Sequence, residues 1–177
     1  HNDWTEWEKE NANRFSQESG RKYSPENYIS GRACDHYNRF LEDFDIDKQL
    51  GHNAHRFSIE WSRVEPEEEK FDEQAIKHYQ EVINALCGRG IEPFVTLWHW
   101  TMPVWFVKKG GFEKRENIKY FIKFCEYVAS EFKNEVKFWI TLNEPEIYTA
   151  NSYLKGVWPP QKKNLLSYLL VFRNLII

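Results

Sequence analysis

Cysteine is scarce in this 177-residue chain, and the three present, Cys34, Cys87 and Cys125, are far apart and outside any Cys-x-x-Cys spacing. An odd, scattered set argues against a disulfide framework or a zinc site and fits a reducing, cytoplasmic setting. No Gly-x-Gly-x-x-Gly and no Walker loop occurs, which weakens a nucleotide-binding reading. Neither sign of charge dominates, since 24 basic residues against 27 acidic ones give a net charge of −3. The densest acidic stretch, Glu65 to Glu69, is interrupted by Pro66. A nucleic-acid partner that relied on a basic face is not expected. Long apolar runs are missing too. The stretch from Leu165 to Ile177 carries Arg173 and, at about 13 residues, is too short to span a bilayer, so no membrane partner is expected. No charged and then apolar leader follows His1.

Aromatic residues, by contrast, are abundant: eight Trp, nine Tyr and thirteen Phe make up 17% of the chain. Rings of this size fill cores and line sugar-binding or apolar clefts, so a folded chain is expected. The length alone suggests one compact unit. The ends suggest something else. The chain opens on His1 rather than Met and stops inside the apolar run Leu175-Ile176-Ile177, so we expect a piece of a longer protein.

Periodicity supplies the architecture. Apolar residues at Tyr37, Phe40, Leu41 and Phe44 predict a helix between Arg32 and Leu50, stopped by Gly51. His55 to Trp61 alternates as a strand, with Phe57, Ile59 and Trp61 on one face and Arg56, Ser58 and Glu60 on the other. Asp72 is placed to cap a helix carrying Ile76, Tyr79, Val82, Ile83 and Leu86 and ending at Gly88 or Gly90. Ile91 to Trp98 predicts a buried strand, Lys114 to Phe132 an amphipathic helix, Val136 to Leu142 a third strand, and the tail from Leu165 a fourth helix. Strands separated by helices in units of about 40 residues imply a parallel sheet, apolar on both faces and covered by helices. A doubly wound sheet and a (β/α)8 barrel both fit, and the missing dinucleotide fingerprint favours the barrel. Residues 1–30, rich in Asn, Ser and Glu, are expected to form a loop or a short irregular helix over one barrel face, and residues 31–177 the β-α units.

Each predicted strand ends in a polar and aromatic cluster. The first runs Arg56-Phe57-Ser58-Ile59-Glu60-Trp61-Ser62-Arg63, the second ends Trp98-His99-Trp100, and the third ends Asn143-Glu144-Pro145. In a (β/α)8 barrel the C-terminal strand ends build the active site, so three such clusters converge on one cleft. Glu144 is the sharpest candidate, a carboxyl group at a strand end suited to general acid–base work; the plain alternative is a solvated loop glutamate. Asn143 has a donor and an acceptor for a hydroxyl, or is an ordinary turn residue. His99 is presented between two large rings and has no His-Glu-x-x-His set around it, so neither metal ligation nor a cofactor is expected. Arg56 either forms a structural ion pair with Glu60 or holds a catalytic carboxylate ionised and oriented.

At these residues the chain resembles the family-1 glycoside hydrolases, the β-glucosidase and β-galactosidase group. The resemblance runs from Cys34-Asp35-His36-Tyr37, through the three strand-end strings and Gly110-Gly111-Phe112, to Gly156-Val157-Trp158-Pro159-Pro160. It implies a partial (β/α)8 barrel, strands two to four of eight, and retaining double displacement on a small-molecule β-glycoside. It also implies roles: Glu144 as general acid/base, Asn143 on the sugar 2-hydroxyl, His99 on another hydroxyl, Trp100 as a pocket wall, and Arg56 beside the nucleophile. The family's nucleophile sits in a Glu-Asn-Gly string, which this sequence lacks, so the segment alone is expected to be inactive. The alternative is a catalytically dead sugar-binding protein on the same barrel. The resemblance leaves the oligomeric state open.

Overall fold

The computed structural model describes residues 2–176; His1 and Ile177, the outer ends of the predicted loop region and tail, lie outside the described residues. In chain order the elements are α1 (Asp3–Glu18), α2 (His36–Gln49), β1 (Ala54–Ser58), α3 (Trp61–Val64), α4 (Glu73–Gly88), β2 (Glu92–Trp98), α5 (Val104–Lys108), α6 (Ile118–Phe132), β3 (Phe138–Leu142), α7 (Pro145–Thr149) and α8 (Leu165–Ile176). The three strands form one parallel sheet in the order β1-β2-β3, with Ala54 opposite Glu92 and Phe94 opposite Phe138. Neighbouring parallel strands need a crossover, and α4 and α6 supply the two.

The element boundaries follow from local chemistry. Asp72 caps α4 by accepting the N–H groups of Gln74 at 2.8 Å and Ala75 at 3.2 Å. β1 stops at Ser58, short of the expected Trp61. Glu60 turns the chain there, because its carboxylate accepts the Ser62 N–H and makes Trp61 the first residue of α3. α6 starts at Ile118 rather than Lys114, since the Asn117 amide donates to the carbonyls of Lys109 and Gly111 and holds a tight turn before it. β3 starts two residues late because the Val136 N–H still closes α6 on Phe132 at 3.0 Å. α8 forms as expected, with Asn164 accepting the Ser167 N–H at its start.

The N-terminal stretch departs from expectation. Instead of a loop or short irregular helix, Asp3–Glu18 is a regular 16-residue helix. Asn2 caps it by accepting both the N–H and the hydroxyl of Thr5, and Glu6 sits favourably in its first turn. Trp4, Trp7, Asn11 and Phe15 recur at helical spacing, a signal that the polar composition of residues 1–30 obscured.

The main core lies between the sheet and its helices. Ile59, Val64, Val95, Leu97, Ile83, Phe124, Val128 and Phe132 are buried there. Trp61 is at its centre, 4.7 Å from Phe106, 5.3 Å from Phe124 and 5.5 Å from Phe121 between ring centroids. Burial of each such ring stabilises by about 1.5–3 kcal/mol. The sheet is not covered on both faces as its apolar composition suggested. On the side away from α4 and α6, Phe94 and Phe138 stack at 4.4 Å and Phe138 is 46% exposed. Among the described residues, no helix is long and apolar enough to cross a membrane.

Candidate active site

Parallel strands in register bring their C-terminal ends to one edge, so residues far apart in sequence meet there. Arg56 projects from β1, donates from Nε to Thr96 Oγ1 at 2.9 Å, and donates from Nη2 to Asn143 Oδ1 beyond β3. Asn143 is buried, and its backbone N–H donates to the Trp98 carbonyl at 2.9 Å. The Arg56–Glu60 ion pair considered from the sequence does not form. Glu60 turns to the Ser62 hydroxyl at 2.6 Å and the Thr101 hydroxyl at 2.6 Å.

Glu144 follows Asn143 with a left-handed backbone, φ 42°. It precedes Pro145 at the first position of α7, and its carbonyl accepts the N–H groups of Ile147 and Tyr148, both at 3.1 Å. The result is an exposed carboxyl group held at a strand end by a fixed backbone. A left-handed non-glycine residue costs about 1–2 kcal/mol, and such strain concentrates at functional sites.

His99 and Trp100 follow β2. Ser58 Oγ lies 3.2 Å from His99 Nδ1. Desolvation pushes the imidazole pKa below its ordinary value, the Arg56 charge lowers it further, and the Glu144 carboxylate partly offsets both. A ring so placed is neutral at pH 7 and has one donor and one acceptor for a hydroxyl-rich ligand. Trp100 is also left-handed, φ 77°. Its Nε1–H donates to the Asn143 carbonyl at 2.9 Å, and its ring lies 4.6 Å from Trp158 and 6.4 Å, nearly parallel, from Trp4.

His99 and Trp100 open onto a cavity of about 410 Å³ shared with Trp4, Glu8, Thr101 and Trp158. Arg56, Asn143 and Glu144 do not line it; they flank it through the Arg56–Asn143 and Trp100–Asn143 bonds. Trp4 and Glu8 escaped the sequence reading, and Trp158 entered it only within a matching string, with no role. Trp4 was findable from the helical spacing of Trp4 and Trp7, whereas Trp158 reaches the cavity by an irregular loop with no periodic signal. A second cavity, of about 440 Å³, lies on the other flank of α1 against Asp3, Trp7, Val107 and Tyr153, and holds none of the expected residues. Among the described residues, no three His, Cys, Asp or Glu side chains gather closely enough to hold a metal ion.

Known proteins resemble the chain over most of its length. Residues 6–177 match the profile described as Glycosyl hydrolase family 1. Beta-glucosidase A of Thermotoga maritima is 38% identical over 145 residues, 81% of this chain and 32% of that protein. Beta-glucosidase A of Acetivibrio thermocellus is 34% identical over 160 residues, 88% of this chain and 36% of that protein. Among solved structures, the beta-glycosidase from Pyrococcus horikoshii superposes with a TM-score of 0.82 at 41% identity, covering 99% of this chain and 38% of that one. The beta-glucosidase from Thermotoga maritima in complex with deoxynojirimycin superposes with a TM-score of 0.79, covering 81% and 33%. The chain thus spans about a third of the length of the relatives it matches.

Proposed function

The chain belongs to glycosyl hydrolase family 1, and from that premise we propose that it supplies the acid/base half of a retaining β-glycosidase site. The sheet order and the one-sided helical cover support a reading as strands two to four of a (β/α)8 barrel. The substrate class is a terminal β-glucoside or a related β-glycoside, and relatives named as beta-glucosidases support it. Three free thiols suit a cytoplasmic setting.

In this reading the glycone seats against Trp100, with its hydroxyls addressed by neutral His99 and by the Asn143 amide. Arg56 occupies Asn143 Oδ1, which leaves the amide N–H₂ as the donor toward the sugar 2-hydroxyl. Protonated Glu144 gives its proton to the glycosidic oxygen as the C1–O bond breaks. A second carboxylate bonds to C1, and we place it outside residues 1–177. Glu144, now ionised, takes a proton from water, the water oxygen bonds to C1, and the bond to the nucleophile breaks. Retention by this route needs the two carboxyl groups about 5–5.5 Å apart.

The single observation that supports the proposal is that Asn143, held by Arg56 and accepting the Trp100 indole N–H on its carbonyl, precedes Glu144 at the sheet edge that also carries His99. The test is the anomeric configuration of the first product. The full-length protein acting on an aryl β-glucoside should release β-glucose, seen by proton NMR before mutarotation, whereas the 177-residue segment should release none. Release of α-glucose, or normal turnover by the segment, overturns the reading.

A further inference from the structure

Trp100 has a left-handed backbone that its own side chain does not favour, so neighbouring groups must hold it there. The next residue, Thr101, is gripped from the turn between β1 and α3. Its hydroxyl donates to Glu60 Oε2 at 2.6 Å, while Glu60 Oε1 accepts the N–H and hydroxyl of Ser62 at 3.3 and 2.6 Å. The Glu60 backbone is fixed in turn, since its N–H donates to the hydroxyl of buried Tyr79 on α4 at 2.9 Å. One residue further on, Met102 exchanges two bonds with α1: its N–H donates to Asp3 Oδ1 at 2.8 Å, and its carbonyl accepts the Asp3 N–H at 3.0 Å.

We propose that Glu60 is a positioning residue for the sugar pocket, its carboxylate anchoring the Thr101 hydroxyl and so the left-handed Trp100 turn that walls the cavity. A hydroxyl bonded to an ionised acceptor makes a short, strong bond, and a carboxylate with one oxygen on each partner ties the start of α3 to the turn after β2. Asp3 reinforces the turn from its other side, and the nearby Glu60 charge is among the causes that keep the Asp3 carboxyl protonated to a higher pH. The inference rests on the reading of Trp100 as a glycone wall.

The test uses the full-length protein with an aryl β-glucoside, comparing Glu60→Ala, Glu60→Gln, Thr101→Val and the double variant Glu60→Ala/Thr101→Val. Each of Glu60→Ala and Thr101→Val should raise KM and lower kcat/KM roughly tenfold, with kcat changed less. The double variant should lose no more than Glu60→Ala alone, because that variant already removes the bond that Thr101→Val removes. Glu60→Gln, whose single amide oxygen can still accept the Thr101 hydroxyl proton while its N–H₂ faces Ser62, should recover part of the loss. Unchanged kcat/KM in folded variants, or additive losses, overturns the proposal. Thr101→Val, nearly isosteric, decides the matter if Glu60→Ala fails to fold. Calorimetric binding of deoxynojirimycin to the same variants separates the two ideas. If the wild type binds the inhibitor without turning over substrate, the catalytic reading fails while the roughly tenfold binding loss still upholds the Glu60 role. If inhibitor binding is also indifferent to Glu60 and Thr101, the Glu60 role fails.

Discussion

Arg56 and Asn143 are separated by 87 residues, yet one guanidinium joins them across β2, with Thr96 as its second acceptor. The planar fork suits this because two fixed N–H directions meet two oxygens on adjacent strand ends. Arg56→Met leaves Asn143 Oδ1 and Thr96 Oγ1 without that donor, at about 1–3 kcal/mol for the buried amide. Arg56→Lys has a single ammonium and recovers at most one of the two bonds. We expect the full-length Met variant to melt lower and to lose kcat/KM more than the Lys variant. An unchanged melting temperature in Arg56→Met would show that the bond contributes nothing.

Replacement of Glu144 by Gln removes the transferable proton and keeps the shape. Turnover of β-glucosides with poor leaving groups should fall about 10²–10⁴-fold, the usual contribution of a positioned acid/base. Activated aryl leaving groups depart without protonation, so their first step should survive, and azide should rescue the second by replacing water. Product analysis for a β-glycosyl azide checks this. Full activity of Glu144→Gln removes Glu144 from the role.

How much of this was legible beforehand differs by element, and physics explains the difference. β2 was readable because Val95 and Leu97 meet helices and must be apolar, and α4 because Asp72 caps an evident stripe. The strand-end cluster was readable because parallel strands in a βα alternation deliver their C-terminal ends to one edge. The partner of Arg56 was not, since Glu60 and Asn143 both offered oxygens and only the register of three strands selects between them. α1 was hidden by polar composition, although the Asn2 cap and the Trp4–Trp7 spacing announced it. Trp158 lies on a loop, where no period exists to be read.

Asp3 gives a pH-dependent stability whose sign is opposite to that of a salt-bridged carboxylate. Burial, chiefly, and the Glu60 charge raise its pKa from 3.8 to about 7, against the Met102 N–H bond, which lowers it. The folded state therefore binds the proton more tightly than the unfolded chain between those values. This stability is fully present below pH 3.8 and is lost as pH rises through about 7. His99 acts in the reverse direction. With its pKa lowered from 6.5, its contribution is complete above that value and falls away on acidification. Asp3→Asn keeps an oxygen for the Met102 N–H and removes the titration. The variant should gain stability over wild type as pH rises from 4 toward 7, visible in melting curves across that range. A constant difference would mean that Asp3 titrates alike in both states.

Gly156 offers a sharper test of the loop that delivers Trp158, with Gly51 as its control. Both have left-handed backbones, φ 66° and φ 80°. A Cβ at Gly51 would meet nothing within 4 Å, so Gly51→Ala carries backbone strain alone, about 1–2 kcal/mol. A Cβ at Gly156 would lie 2.8 Å from Lys163 Cγ, 3.0 Å from the Lys162 carbonyl and 3.2 Å from the Gln161 carbonyl. Two of those atoms are backbone, and the loop is itself bonded back to the π turn Ala150–Leu154, with Val157 donating to the Asn151 carbonyl at 2.9 Å and Lys162 to the Ser152 carbonyl at 2.9 Å. The segment cannot absorb the methyl group without moving, and Trp158 moves with it, away from a ring contact of 4.6 Å with Trp100. Gly156→Ala should therefore cost about 1–3 kcal/mol and also weaken deoxynojirimycin binding, whereas Gly51→Ala should lower the melting temperature alone. Equal binding by both variants would show that Trp158 has no part in shaping the pocket.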